Sequence, residues 1–322
     1  MEEKNIKKPK RKKRCVSCRK PAEINVTVPF CAPCFIKHFD RRVERVVKKN
    51  KLAMAGDKIL MAVSAGKDSL SCAHVLSKMR QERGFMLGVL HMDVGILECT
   101  SERSENVVRE FCRERDIPFH FIRFREYLGA DIVRIANSRR RTECSVCGAF
   151  KRYALNRFAR ENGYNKLATG HCADDIVRFF FKNWLAHNFS WIAKSKPMTL
   201  SNHPLVVSRI RPLFETTEAE NLAYTKANNI VVAGCSRCSY FLRNDKWNDI
   251  FRVIDEKDRL FKIEFARGLE MAEFKVSDPN RVLNGCRICG EPTDKEMCVV
   301  CRLKGNKADD DQIEDTTVVE GD

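Results

Sequence analysis

The stretch Lys58-Ile-Leu-Met-Ala-Val63 passes without a break into Ser64-Ala-Gly-Lys-Asp-Ser69, and the fold turns on how this junction is read. Its first half is a continuous apolar run of the kind found in strands buried on both faces. Its second half is short, polar and glycine-bearing, and a helical segment follows. A strand that turns into a helix leaves the first backbone N–H groups of that helix unpaired, and the helix dipole adds partial positive charge, so such a turn is an anion site. Gly66 permits close backbone approach, Lys67 adds a full charge, and the hydroxyls of Ser64 and Ser69 donate hydrogen bonds. Asp68 is either an oxygen ligand for a divalent cation or the cap of its helix. The spacing differs from a Walker A loop, which needs two glycines further apart and Lys-Ser or Lys-Thr after the second.

Outward from this junction, short apolar runs alternate with longer amphipathic segments, the pattern of βαβ units around a parallel sheet. Strands are expected near 58–63, 86–93, 119–123, 166–169 and 230–233. Helices are expected over much of 68–80, 102–115, 125–137, 148–162, 172–186 and 217–228. Thr217 and Glu220 form a capping-box pattern, and Gly163 is placed to stop its helix. A charged amphipathic stretch over 246–273 reads as helical. The fold class is therefore α/β with a doubly wound parallel sheet. The chain divides into a basic mobile arm at 1–14, a cysteine ribbon and linking helix at 15–54, the α/β domain at 55–275, a second ribbon at 276–305 and an acidic disordered tail at 306–322. In the linking helix, Phe35, Phe39, Val43 and Val46 or Val47 share one face.

The 322 residues include 59 Lys and Arg against 43 Asp and Glu, a net charge of +16 that favours a polyanionic partner. No apolar stretch is long enough to cross a bilayer. The 16 cysteines follow a Lys- and Arg-rich N-terminus without a signal-peptide core, which points to the cytoplasm, where CxxC pairs hold metal. Cys15, Cys18, Cys31 and Cys34 form one zinc-ribbon pattern, and Cys286, Cys289, Cys298 and Cys301 form another. Arg14, Arg19, Lys20, Arg287 and Arg302 on the ribbons, and Arg139, Arg140 and Arg141 ahead of the central CxxC, are placed to meet RNA phosphates. Cys72, Cys99 and Cys112 lack metal spacing and read as small buried hydrophobes, and Phe179–Phe181 reads as core.

The loop Ser64-Ala-Gly-Lys-Asp-Ser69 resembles SGGxDS, the pyrophosphate motif of the PP-loop ATP pyrophosphatase superfamily, whose members cleave ATP between its α and β phosphates. Ala65 stands where the first glycine is usual, a replacement that requires the backbone there to keep φ negative. Two four-cysteine ribbons around this domain, a central Cys144-Ser-Val-Cys147 and a late Gly234-Cys235 are similar to the tRNA 2-thiouridine synthetases. Ala168-Thr-Gly-His171 ahead of Asp174 and Asp175, and Arg209-Ile-Arg-Pro-Leu213 before the Thr217 helix, extend the likeness.

The resemblance implies an adenine-nucleotide α-hydrolase-like fold, with ATP over Ser64, Ala65, Gly66, Lys67, Asp68 and Ser69 and further contacts from Gly170, His171 and Asp174. It implies that Cys144, Cys147 and Cys235 hold a 4Fe-4S cluster, with Cys144, Cys235, Lys151 and Asp175 catalytic. From the residues alone, that trio equally suits a third zinc or a disulfide and persulfide relay. Asp68, Asp174 and Asp175 suit Mg2+, while one of the aspartate pair suits a helix cap. Cys172 replaces a usual Asn, Arg178 replaces an acid, and Cys238 is an additional thiol that as a fourth ligand would close an open iron. The implied activity is adenylation of a uridine C2 oxygen and its replacement by sulfur, with tRNA as partner and sulfide, persulfide or a thiocarboxylated ubiquitin-like carrier as donor. A homodimer is compatible with it. Two rivals are a PP-loop ATPase with another acceptor, as in lysidine formation or small-molecule sulfur transfer, and a non-catalytic zinc-ribbon RNA-binding protein.

Overall fold

The computed structural model describes residues 13–96, 102–201, 203–233, 246–274 and 282–305. Most of the expected basic arm, the acidic tail from 306, and Cys99, Cys235 and Cys238 lie outside these residues. In chain order the elements are β1 (Ile24–Asn25), β2 (Pro29–Phe30), α1 (Ala32–Lys49), β3 (Lys58–Ala62), α2 (Lys67–Arg83), β4 (Met86–Asp93), α3 (Glu102–Arg113) and β5 (Phe119–Arg123). There follow α4 (Phe124–Tyr127), α5 (Ile132–Ser138), α6 (Glu143–Glu161), β6 (Lys166–Ala168), α7 (Ala173–Leu185), α8 (Phe189–Ile192), β7 (Met198–Thr199), β8 (Ser208–Ile210) and α9 (Glu218–Ala227). Helices at Lys246–Lys257 and Phe261–Met271, the short strands β9 (Asn284–Gly285) and β10 (Pro292–Thr293), and a helix at Val299–Lys304 complete the described chain.

The central sheet runs β5-β4-β3-β6-β8-β7, parallel except for the edge strand β7, which pairs antiparallel with β8. Strand alternation sends Ile59 and Met61 to one face, among residues of α1 and α2, and Leu60 to the other, among residues of α5 and α6. Both faces are thus covered, which explains why β3 is apolar throughout. Connections leave β3 toward β4 and β5 on one side, and β6 and β8 extend the other. The order therefore reverses at β3, and the crevice beyond its carboxyl end is where such sheets bind ligands.

Local chemistry fixes the helix ends. Gly84 closes α2 at φ 68°, and Gly163 follows α6 at φ 71°, conformations that glycine adopts without strain. Thr142 starts α6 by accepting from the Ser145 N–H at 3.2 Å. Thr217 and Glu220 make the expected box, with bonds of 3.2 Å and 3.0 Å. On α1, Phe35, Phe39, Val43, Val46 and Val47 are all buried.

Four local expectations are corrected. Residues 230–233 form no strand, and the fifth parallel place goes to β8 at Ser208–Ile210. Instead the Ala233 N–H donates to the Ala65 carbonyl at 3.0 Å, which draws that segment to the phosphate turn. The single helix expected over 125–137 is two, α4 and α5, with Gly129 between them at φ 57°. The stretch 246–273 is likewise broken, with Asp258 accepting from the Leu260 N–H at 2.9 Å. Finally, α6 starts at Glu143 rather than near 148, so Cys144 and Cys147 belong to its first turns.

Candidate active site

The phosphate turn sits where β3 meets α2. Gly66 is the residue preceding α2, and no side chain caps the helix start. The Ser64 N–H donates to the Ser69 hydroxyl at 3.2 Å, and that hydroxyl donates to the Gly66 carbonyl at 3.0 Å, which closes the turn on itself. Ala65 adopts φ 61° and is fully buried. The expectation of a negative φ is therefore overturned: the turn imposes the left-handed conformation that a glycine would take freely, and alanine accepts it at a cost.

The loop after β6 closes on this turn. A Cβ at Gly170 would lie 2.8 Å from the Ser69 backbone nitrogen, so only glycine allows the two backbones to approach this closely. His171 follows, its Nδ1 2.7 Å from the Thr169 hydroxyl. Desolvation and the nearby Arg211 and Arg209 push its pKa down to about 4, so the imidazole is neutral at pH 7.

Lys67 pairs with Asp68 at 3.0 Å and with Glu218 at 3.1 Å. Burial opposes its charge, but the two carboxylates outweigh burial and raise its pKa. Asp68 also accepts from the Asn221 amide at 2.8 Å. Burial raises the Asp68 pKa to about 6, the attraction of Lys67 notwithstanding. Asp174 is nearly enclosed, and both its oxygens are engaged: Lys262 donates at 2.6 Å and the Glu218 N–H at 2.8 Å. Asp175 accepts from the Cys172 N–H at 2.9 Å and so caps α7, and burial lifts its pKa to about 6. Cys172 is fully buried, and that burial, reinforced by the neighbouring acids, holds its thiol protonated. Among the described residues, no three carboxylates bring oxygens within 4.8 Å of one another, so the acids form no ready cation cage.

Cys144 and Cys147 lie one turn apart on α6, Cys147 buried and Cys144 half-buried. A helix that leads back into a parallel sheet starts at the carboxyl edge of the strands, the same edge that carries the phosphate turn. Lys151, one turn further along α6, is close enough to His91 at the end of β4 to disfavour its protonation, after the larger effect of burial.

Each ribbon brings four sulfurs within 4.8 Å of one another, and one Sγ pair in each is 3.6 Å apart. Tetrahedral zinc with Zn–S near 2.3 Å separates its sulfurs by about 3.8 Å, so both sets fit that ion. Burial opposes ionisation of Cys15 and Cys286, but converging backbone N–H groups bring both down to about 6. Arg139 does not reach outward as expected: its guanidinium donates to the carbonyls of Arg302, Leu303 and Gly305 and caps the last ribbon helix. Cys72 and Cys112 are buried, as their spacing suggested.

Several residues near the site carried no sequence signal of their role. Glu218 was visible only as a first-turn acid, and Lys262 only as one charge on an amphipathic helix. His91 is 2% exposed, its Nδ1 donates to the Val63 carbonyl at 2.8 Å, and its Nε2 is buried without a hydrogen-bond partner among the described residues.

Residues 36–244 match the model of a family described as a PP-loop domain. The tRNA-5-methyluridine(54) 2-sulfurtransferase of Pyrococcus horikoshii is 33% identical over 302 residues, covering 91% of this chain and 94% of that one. The enzyme of the same name from Thermus thermophilus is 29% identical and covers 90% of each chain. Among solved structures, the U34-tRNA thiolase NcsA from Methanococcus maripaludis with its 4Fe-4S cluster aligns with a TM-score of 0.72 at 25% identity, over 90% of this chain and 95% of that one.

Proposed function

The chain belongs to the PP-loop domain family, and on that premise we propose that it is an ATP-dependent tRNA sulfurtransferase acting on a uridine C2 oxygen. What supports the reading is topology: α2 with its phosphate turn and α6 with Cys144 and Cys147 each lead from the carboxyl edge of the parallel sheet back to its next strand. The sulfurtransferases and thiolase that resemble the chain along nearly its whole length support it further. So does the net charge of +16, since an RNA substrate is a polyanion.

A uracil carbonyl oxygen is a poor leaving group, and attaching it to phosphate makes it a good one. In the first step the C2 oxygen attacks the α-phosphorus of ATP and pyrophosphate departs. In the second, a sulfur nucleophile adds to C2 and AMP leaves with the original oxygen. The residues supply charge and position for the first step. The open N–H groups of α2 and the Lys67 ammonium offset charge developing on the departing pyrophosphate. Lys67 must then exchange Glu218 for phosphate, so Glu218 keeps it extended toward the turn until nucleotide arrives. Mg2+ would enter on the ATP phosphates with Asp68 as its protein ligand, because Asp174 is already held by Lys262 and the start of α9.

Cys144 and Cys147, together with Cys235, would hold a 4Fe-4S cluster. Bound there, the cluster would supply an iron able to take up sulfide, since three cysteines would ligate only three of its four irons. Lys151 and Asp175 are the candidates for moving protons at the base. Burial raises the Asp175 pKa to about 6, and Lys151 is an exposed cation one turn beyond Cys147 on α6. The two ribbons are structural Zn2+ sites, and the setting is cytoplasmic.

The decisive experiment incubates the reconstituted protein with ATP, sulfide and unmodified tRNA, and measures AMP, pyrophosphate and digested nucleosides by mass spectrometry. The expected result is tRNA-dependent AMP together with a uridine heavier by the difference between sulfur and oxygen. AMP without a thiolated nucleoside would assign the chain to another acceptor. No tRNA-dependent AMP would sink the reading.

A further inference from the structure

Just before β8, Val207 lies on the α6 side of the sheet and Ile210 on the other, so alternation puts Arg209 on the α6 side, and Arg211 follows just past the strand with its N–H on the Pro197 carbonyl at 2.8 Å. Among the described residues, neither guanidinium meets a carboxylate. Arg211 donates to the Lys196 carbonyl at 2.6 Å and to the Thr199 hydroxyl at 3.1 Å, both neutral acceptors. Arg209 makes no side-chain hydrogen bond or ion pair among the described residues, and both arginines are only partly exposed. Burial lowers the proton affinity of both guanidiniums, Arg152 of α6 adds to that at Arg209 and Arg209 adds to it at Arg211, and after burial both arginines disfavour protonation of His171. Thr169, the partner of His171, donates its N–H to the Ile210 carbonyl at 3.1 Å, which ties this group to the loop that closes on the phosphate turn.

Partly buried cations that lie together and meet no counter-charge among the described residues destabilise a fold, and such a cost persists where a ligand supplies the missing anion. We propose that Arg209 and Arg211, with His171 at their edge, form a second phosphate-binding subsite beside the phosphate turn. A phosphoryl group fits because it offers several oxygens to the fixed fork of a guanidinium, and a neutral imidazole adds a hydrogen bond. Both ATP and the RNA backbone carry that chemistry. The inference rests on the functional reading above, in which the cleft receives both.

The test measures binding by the full-length protein in two arms, without turnover: a non-hydrolysable ATP analogue with Mg2+, and a tRNA transcript without nucleotide. Arg209→Gln is expected to weaken at least one arm about tenfold or more, as loss of a charge-assisted bond does. A loss confined to the analogue arm assigns the subsite to the triphosphate, and a loss confined to the tRNA arm assigns it to a backbone phosphate. In the latter case the slope of log affinity against log salt falls by about one. Arg209→Lys keeps the charge but removes the fork, so it is expected to weaken the same arm by roughly threefold to tenfold. It replaces Arg209→Gln as the deciding variant should the latter not fold. A folded variant that binds both ligands within twofold of wild type overturns the subsite. A wild-type protein that binds neither ligand instead overturns the functional reading.

Discussion

At the scale of single residues, Ala65 sets opposing terms against one another. Its left-handed backbone costs roughly 1–2 kcal/mol relative to a relaxed alanine. Replacing it with glycine would remove that cost, but would surrender a fully buried methyl worth about 0.8 kcal/mol and add unfolded-state entropy of about 0.4–1 kcal/mol. Ala65→Gly is therefore expected to stay within about 1 kcal/mol of wild type in urea unfolding. Ala73→Gly, inside α2 and equally buried, gains no such relief and should lose roughly 2 kcal/mol. Ala65→Val, a branched side chain at positive φ, should lose more than about 2 kcal/mol. Equal costs for the two glycine variants would show that Ala65 carries no backbone strain. Asp68 offers a second residue-scale outcome. Its pKa is raised to about 6, so its proton competes with a cation below that pH. Affinity for Mg2+ and ATP should be full above pH 7 and decline as pH falls through 6, and Asp68→Asn should flatten that dependence. A wild-type titration with no inflection between pH 5 and 7 would remove Asp68 from the cation's coordination. The sequence marked Asp68 as a candidate, but the raised pKa comes from packing, which no local motif encodes.

Among elements, the start of α9 joins three parts of the chain through one side chain. Glu220 is fully buried, closes the capping box on Thr217, accepts from Arg42 of α1 at 2.6 Å and from Thr27 of the first ribbon at 3.1 Å. Glu220→Ala would leave the nearly enclosed Arg42 without its counter-charge, so a loss of about 3–5 kcal/mol is expected in denaturant unfolding. Glu220→Gln can keep an acceptor for the Thr217 N–H but also removes the charge facing Arg42, so it should recover only the capping part of that loss. A small effect of Glu220→Ala would mean that water or a neighbouring acid satisfies Arg42. The box itself was legible, since Thr217 and Glu220 are three residues apart. The other two partners were not, because they lie 178 and 193 residues away along the chain. The same distinction holds for β8: its three residues carry no periodicity, and it forms only because β6 offers an unpaired parallel edge.

Over the whole molecule, the ribbons share their interiors with the α/β domain. Cys15, Phe30 and Cys31 pack in the buried group that holds Val43 and Leu70, and Cys286, Cys298 and Leu303 pack with Val146 and Phe150. Removing metal should therefore lower the stability of the entire fold and not release a ribbon alone. Calorimetry before and after strong chelation is expected to show one transition displaced downward by several degrees. Two separated transitions, or an unmoved one, would contradict the shared-core account. None of the described helices is long and apolar enough to cross a membrane.

The sequence by itself determined the parallel α/β plan, the phosphate turn, both ribbons and most helix limits, because each is written in spacings of a few residues that act through local sterics and periodic burial. Tertiary structure alone decided that Ala65 is left-handed, that Asp174 belongs to Lys262, that Arg139 serves a ribbon, and that Arg209 and Arg211 lie near His171 with no carboxylate partner among the described residues. Those outcomes depend on which distant groups burial forces together and on how their charges then balance, quantities set only once the chain has packed.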